Sequence, residues 1–477
     1  MTGLLIGGTS SDAGKSLVVT GLCRAYARRG LSVAPFKSQN MSNNSMVCAD
    51  GSEIGRAQWL QARAAGVEPS SLHNPVLLKP GSDRRAHVVL RGRPAGELLA
   101  GEYATERRQL AEAAFAAHAE LADTVDLVVC EGAGSPAEIN LRAGDYTNLG
   151  LARRFDLPIV LVGDIDRGGV LASLYGTWAL LDQKDRRHLK AYVINKFRGD
   201  QQVLDPGLTM ISDRTGLRCL GVLPWLEQVW TDSEDTLAVG RWQPDTDGVL
   251  KVAVIRLPRI SNATDVDALA GEPGVDVMIT TDPRVVAAAD LVVLPGTRST
   301  VSDLGWLRAR GLADTLVTRV ARGGAVLGIC GGHQMLGTLI DDPTESGAGR
   351  VPGLGLLPIQ VRFGAEKVLG TPSGSWRSIT MSGYEIHHGR AEVLGPAEEF
   401  PGGVASGTVW GTMWHGTLES DAFRRAWLSE VAREAGVAWQ PAPDAPDWAD
   451  RRESMINTLA DAVEEHLDLD ALLDLRV

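Results

Sequence analysis

Two groups of residues have the types and spacing for covalent or phosphoryl chemistry. Cys330 lies in GGAVLGICGGHQMLG, residues 323–337, between a short apolar run and the opening of a helical pattern. A strand–nucleophile–helix turn raises a side chain on a sharp bend, and flanking glycines let the backbone close tightly around it. A nucleophilic thiol needs a base from elsewhere in the chain. His415 in WGTMWHGTLES, 85 residues further on and just after another apolar run, is the candidate. Taken alone, Cys330 reads equally as a small buried hydrophobe. The glycine turn and the histidine together favour the nucleophile.

The second group is GGTSSDAGKS, residues 7–16, which follows an apolar run and leads into the helical LVVTGLCRAYARRG. A glycine-rich turn at a helix start points backbone N–H groups and the helix dipole at a phosphate. Gly14 gives the turn its freedom, Lys15 reaches the β- and γ-phosphates, and the Ser16 hydroxyl is a Mg²⁺ ligand. Five residues separate Gly8 from Gly14, one more than in the usual loop. Glu131, in CEGAGS at the end of a later apolar run, sits where ligands collect in open α/β sheets and is a second candidate for the metal.

These residues must be positioned by elements, and the pattern of elements is legible. Apolar runs without polar alternation (3–8, 31–36, 126–132, 157–164, 190–196, 218–224) are separated by helical stretches such as 56–65 and 106–121. That predicts a parallel sheet covered on both faces. A second series (250–258, 289–296, 324–330, 383–389, 409–416) follows an acidic segment rich in Trp, Asp and Gly. The expectation is an α/β protein of two doubly wound domains with mainly parallel sheets. The boundaries expected are 1–232, a linker at 233–249, 250–440, and a helical C-terminal tail at 441–477.

The 477 residues are too many for one ordinary core, and 44% hydrophobic with 22% charged residues is the composition of a globular protein. A net charge of −12 argues against a nucleic-acid surface. No apolar run is long enough for a membrane helix, and the start shows no basic, cleavable segment. Five scattered cysteines without a CxxC pair fit reduced thiols and predict a cytoplasmic protein.

The longer phosphate loop, PFKSQ at 35–39 and EGAGS at 131–135 resemble dethiobiotin synthetase and its relatives. That resemblance implies ATP-dependent activation of a carboxylate as an acyl phosphate, with Lys37 neutralising phosphates, Glu131 on Mg²⁺ and Asn195 at the adenine edge. GICGGHQ with the downstream HG resembles the class I glutamine amidotransferases, which have a flavodoxin-like fold. It implies that Cys330 attacks the glutamine amide while His415 moves the proton. The oxyanion is then expected at the backbone N–H groups of Gly331 and Gly296. Thr417 stands two residues after His415, where most such enzymes carry a glutamate. The corrinoid amidases, which include the cobyric acid and cobyrinic acid a,c-diamide synthases, share this gap, and no residue is assigned to orient His415.

The order of the two halves also resembles the corrinoid amidases. KSQNMSNNS, EIGRAQWLQARAA, NPVLLKPGSD, EGAGSPAEINLRAGDYTNLGLA and GDIDRGGVLASLYGT select the branch that amidates adenosylcobyrinic acid a,c-diamide. The implied substrates are a corrinoid, glutamine and ATP with Mg²⁺, with no permanently bound organic cofactor. Membrane and nucleic acid are not expected partners. Asp145 is a candidate for a second metal or acyl-phosphate site. The polar run Ser38–Ser45 reads either as a corrin-binding loop or as an ordinary polar loop, and Lys79 as a partner of a substrate carboxylate or an interface lysine. His333, His387 and His388 read as structural histidines or, for the latter two, as neighbours of the glutamine pocket.

Overall fold

The computed structural model describes residues 3–82, 85–99, 103–227, 229 and 248–476; of the expected linker, 233–247 lie outside the described residues. The first sheet has six strands in the order Arg218–Pro224, Leu189–Phe197, Ile159–Asp164, Gly3–Gly8, Leu127–Glu131 and Val33–Phe36. Every neighbouring pair is parallel. Leu4, Leu5 and Ile6 are all inaccessible, because helices cover both faces of the central strand. That double cover is why the sequence lacks polar alternation.

The second sheet has seven strands. Val275–Thr280, Leu250–Ile255, Leu291–Leu294, Ala325–Ile329 and Val409–Thr412 run parallel. Gly403–Ser406 and Glu398–Phe400 then close the edge as an antiparallel pair. Both predicted α/β layers are therefore present. Two additions were not predicted. The run Val76–Ser82, Arg85–Leu90 and Arg93–Leu99 folds as an antiparallel meander beside Gln39–Met41. The stretch expected as a strand at 383–389 becomes Glu385–Val393, paired not with the main sheet but with Ile359–Gly370 in a separate four-stranded sheet.

The expected tail is two helices, Trp448–His466 and Leu469–Asp474. They do not stand apart. Met455, Ile456, Ala460, Val463, Leu467 and Leu472 join Leu22, Tyr26 and Leu60 in the core on one face of the first sheet. Trp448 at the start of the same helix packs into the second domain's core. This helix thus ties the two cores together, crossing the helix Lys15–Arg28 that begins at the phosphate loop. At the crossing, a Cβ on Gly21 would lie 2.7 Å from the carbonyl oxygen of Leu459, so only glycine allows this approach. Ion pairs from Arg24 to Glu453 and from Arg28 to Asp461 flank it. Among the described residues, no helix is long and apolar enough to cross a membrane.

Gly21→Val should force these helices apart and cost about 1–3 kcal/mol, the usual cost of overpacking a well-filled contact. Urea unfolding of the two proteins measures the difference; an unchanged midpoint would contradict the close crossing.

Candidate functional site

Cys330 sits between the strand Ala325–Ile329 and the short helix Gly331–Leu336, on the turn that the sequence predicts. Its backbone is at φ 49°, ψ −106°, a conformation costing on the order of 1–3 kcal/mol for a residue with a side chain. The surroundings impose it. The Cys330 N–H donates to Thr412 O at 2.7 Å, and the next turn presses on the neighbouring strand. A Cβ on Gly332 would lie 1.8 Å from Leu294 O, which is why the nucleophile is followed by glycines.

His415 follows the adjacent strand Val409–Thr412, so the parallel pairing of the two strands brings thiol and imidazole to one sheet end. Nδ1 of His415 lies 2.7 Å from Oδ2 of Asp265, and Oδ1 of the same carboxylate accepts the Gly416 N–H at 2.9 Å. All three side chains are buried. Burial alone lowers an imidazole pKa, but the Asp265 carboxylate and the Cys330 sulfur outweigh it and raise His415 to about 10. The ring therefore keeps its proton at neutral pH and offers the sulfur a cationic partner. Tyr384 stacks on the ring, with centroids 5.2 Å apart, and the two residues exchange backbone hydrogen bonds.

Asp265 is the functional residue that sequence reasoning missed. It lies 150 positions before His415, in the turn Ala263–Val266 after the first strand of the second domain. The available signal was an acid in SNATDVDALAGE, a loop at the carboxyl end of a strand, where site residues gather. Glu419, the acid nearest to His415 downstream, is instead engaged by Arg56 and Arg452.

Gly331 and the Gly296–Thr297 turn meet beside the nucleophile. A Cβ on Gly331 would lie 3.0 Å from Thr297 N, and one on Gly296 would lie 3.0 Å from Cε1 of His415. Ser261 N donates to Gly296 O and Arg298 N to Arg259 O, which leaves the Thr297 N–H directed away from that pairing. A small, partly open cleft lies beside this turn, lined by neighbours of the thiol rather than by Cys330 itself. Thr297, Gln334 and Ile386 line it, together with the cations Lys79, Arg298 and Lys367. His387 and His388 also face it, and His388 is lowered to about 4 by burial and nearby cations. His333 is buried and lowered to about 3, the state of a structural imidazole.

The phosphate-loop site lies at the carboxyl end of the first sheet. Ser16 Oγ donates to Glu131 Oε1 at 2.8 Å, and Lys37 Nζ to the same oxygen at 2.9 Å. Oε2 accepts from Gln61 at 2.6 Å. Lys15 Nζ folds back to Ser10 O at 3.1 Å, inside the loop it is expected to serve. Gly14 caps the helix at φ 96°, with the Asn195 amide against it and donating to Ala13 O at 3.0 Å. A hydroxyl and a carboxylate side by side are hard oxygen ligands of the kind Mg²⁺ takes, with phosphates and water completing its shell. Among the described residues no cluster of three His, Cys, Asp or Glu side chains gathers.

The structure also places two further stretches that the sequence singled out. Asp145 accepts from the N–H groups of Thr147, Asn148, Leu149 and Gly150 and from the Thr147 hydroxyl. This carboxylate caps the start of the helix Leu149–Phe155. The run Ser38–Ser45 is buried apart from Met41, and at Asn44 and Ser45 it contacts the second domain. Ser45 N donates to Asn262 Oδ1 at 2.9 Å, and Ala263 N to Asn44 Oδ1 at 3.2 Å. This end of the run is a seam between domains, packed two residues from Asp265. Lys79 is likewise an interface lysine: with Lys367 of the second domain it holds the buried Glu53. Burial lowers Lys79 to about 8 in spite of that carboxylate.

A phosphate-loop domain joined to a thiol–imidazole–carboxylate site defines an ATP-dependent glutamine amidotransferase. Residues 4–239 match the CobQ/CobB/MinD/ParA nucleotide binding domain, and residues 251–423 the CobB/CobQ-like glutamine amidotransferase domain. The chain is 64% identical over 482 residues to a cobyric acid synthase of Cutibacterium acnes, covering both chains completely. It is 57% identical over 480 residues to one of Mycolicibacterium vanbaalenii, covering all of this chain and 96% of that one. The chain belongs to the cobyric acid synthase family.

Asp265→Asn should leave amidation from ammonium intact and lower glutamine-dependent turnover about a hundredfold or more, as loss of an orienting carboxylate does in a triad. Without the carboxylate, burial dominates and His415 loses its proton at lower pH. The alkaline limb of the glutaminase pH profile should therefore move down. An unmoved profile would remove Asp265 from the site.

Proposed function

We propose that the protein converts adenosylcobyrinic acid a,c-diamide to adenosylcobyric acid, amidating the b, d, e and g carboxylates with one glutamine and one ATP for each. The observation that carries this reading is the presence, in one chain, of Cys330–His415–Asp265 and of the Lys15–Ser16–Glu131 loop site.

In the glutaminase half, the Cys330 sulfur attacks the side-chain amide carbon of glutamine. The developing oxyanion is held by the N–H groups of Gly331 and the Gly296–Thr297 turn. His415 gives its proton to the departing nitrogen, so ammonia leaves and a thioester remains. Water, deprotonated by His415, then releases glutamate. Asp265 keeps the imidazole in the tautomer and orientation that both transfers need. The cations around the cleft suit the α-carboxylate of an amino-acid substrate.

In the other half, a corrinoid carboxylate oxygen attacks the γ-phosphorus of ATP, releasing ADP and forming an acyl phosphate. Ammonia adds to the acyl carbon and phosphate departs, leaving the amide. Gly14 and the loop amides cradle the phosphates, Lys15 and Lys37 supply positive charge, and Asn195 faces the adenine edge. Ser16 and Glu131 would hold Mg²⁺, which would supply charge neutralisation at the phosphates. Water destroys an acyl phosphate, so a site closed by docked domains serves the chemistry.

Mass spectrometry of the corrinoid product tests both halves. Wild type with glutamine and Mg-ATP should give four successive replacements of OH by NH₂. Cys330→Ala should give none with glutamine and four with ammonium. A product that stops at two replacements on unamidated cobyrinic acid would indicate an a,c-diamide synthase instead.

A further inference from the structure

The glutaminase half does not hold its histidine alone. Arg56, from the first domain, is 1% exposed and reaches across the seam. Its Nη2 donates to Oε1 of Glu419 at 2.6 Å, and the other Glu419 oxygen is held by Arg452 at 2.7 Å. Glu419 ends the turn Thr417–Glu419, which starts two residues after His415. Met46 and Val47 of the first domain pack against Tyr384 and Ile386 of the second. Tyr384 is the residue stacked on His415, and the Ile386 carbonyl is the polar partner of Cys330 Sγ at 3.9 Å. Burial pushes the Tyr384 hydroxyl well above its ordinary pKa, and the Arg56 charge is among the groups acting the other way.

We propose that Arg56 is a positioning residue for His415, and that the helix it opens links the glutaminase to the nucleotide site. That helix is Arg56–Ala65. Five positions on from Arg56, Gln61 donates to Glu131, whose other oxygen takes Ser16 and Lys37. Gln58 reaches the same Oε2 at 3.5 Å. Ten residues of helix thus have Glu131 at one contact and Glu419 at another. Anything that draws on the Glu131 oxygens competes with Gln61, and a rigid helix passes the adjustment to its own first residue. The chain before the helix acts on the same catalytic group from another side. Arg56 N donates to Asn44 O, and Asn44 and Ser45 clamp Asn262 and Ala263 beside Asp265. A buried arginine is held rigidly, because leaving either charge unpaired in the interior is costly.

The proposal rests on Cys330 and His415 forming the glutaminase. The experiment uses the full chain and two variants, Arg56→Gln and Glu419→Gln, alone and combined, with Cys330→Ala as control. Three quantities are read: amidation from ammonium, kcat and KM for glutamine hydrolysis, and the rate at which a glutamine-like electrophile alkylates Cys330 with and without Mg-ATP. Amidation from ammonium should persist. For Arg56→Gln, kcat for hydrolysis should fall about tenfold or more with little change in KM, as displacement of a catalytic group by a fraction of an ångström does. The alkylation rate should fall in parallel and lose its response to Mg-ATP. The double variant should be no worse than Arg56→Gln, because both substitutions remove one interaction.

Multiplicative losses in the double variant would overturn the proposal, as would an alkylation rate that still responds to Mg-ATP. So would a parallel loss of ammonium and glutamine activities, which marks a folding role. If Arg56→Gln does not fold, Arg56→Lys replaces it, keeping the charge but losing the forked geometry, and the same criteria apply. Glutamine use by Cys330→Ala would instead refute the glutaminase assignment, whatever Arg56 does.

Discussion

A protonated imidazole against a carboxylate, both out of water, is the interaction around which the second domain is arranged. Burying Asp265 and His415 is tolerable only if every polar atom of the pair is met and the geometry does not drift. Asp265 meets this with Nδ1 of His415 on one oxygen and the Gly416 N–H on the other. His415 has in addition the Tyr384 ring and backbone on its flank. The turn that carries Asp265 is bonded at Asn262 and Ala263 by Ser45 and Asn44 from the first domain. A charged pair in the glutaminase therefore depends on how the other domain is docked.

What the sequence made legible follows from the range of the signals. The Cys330 turn and the phosphate loop are local: each is a strand, a bend and a helix in one continuous stretch, Ala325–Leu336 and Gly3–Arg28, and the glycines are dictated by backbone approach. His415 was found because it too follows a strand. Asp265 was not, because its relation to His415 is made by two non-adjacent strands of one sheet and leaves no spacing to read. The same limit explains the seam. Ser38–Ser45 has the composition of a solvated or ligand-binding loop, and only the partner groups Asn262 and Ala263 reveal that its far end is interior. Asp145 illustrates the converse. An acid followed by Tyr-Thr-Asn and an apolar run reads as a ligand, and the same pattern also makes a helix cap, which the backbone N–H groups bonded to it form here.

The interface is both apolar and charged, and the two parts act differently. Met46, Val47, Tyr384 and Ile386 form a buried apolar cluster across the seam, beside His415. Glu53 with Lys79 and Lys367, and Glu419 with Arg56 and Arg452, fix the register of the domains through bonds that point in particular directions. Apolar contact alone tolerates sliding; forked arginines and buried lysines do not. Such an arrangement suits an enzyme whose intermediate and ammonia both have to be kept from bulk solvent.

The helix Trp448–His466 gives the chain an order of assembly. The core it completes, around Leu22, Tyr26 and Leu60, is among the first parts made on the ribosome. At about 5–20 residues per second, residue 456 emerges some tens of seconds after residue 26. Over that interval the sheet and the helix Arg56–Ala65 come to pack on the phosphate-loop helix, but the part of this core that Met455, Ile456 and Val463 cover stays open. A chain that ends before residue 448 keeps Asp265, Cys330 and His415 but leaves that patch of the first core open, so a truncated product exposes apolar surface that the full chain buries.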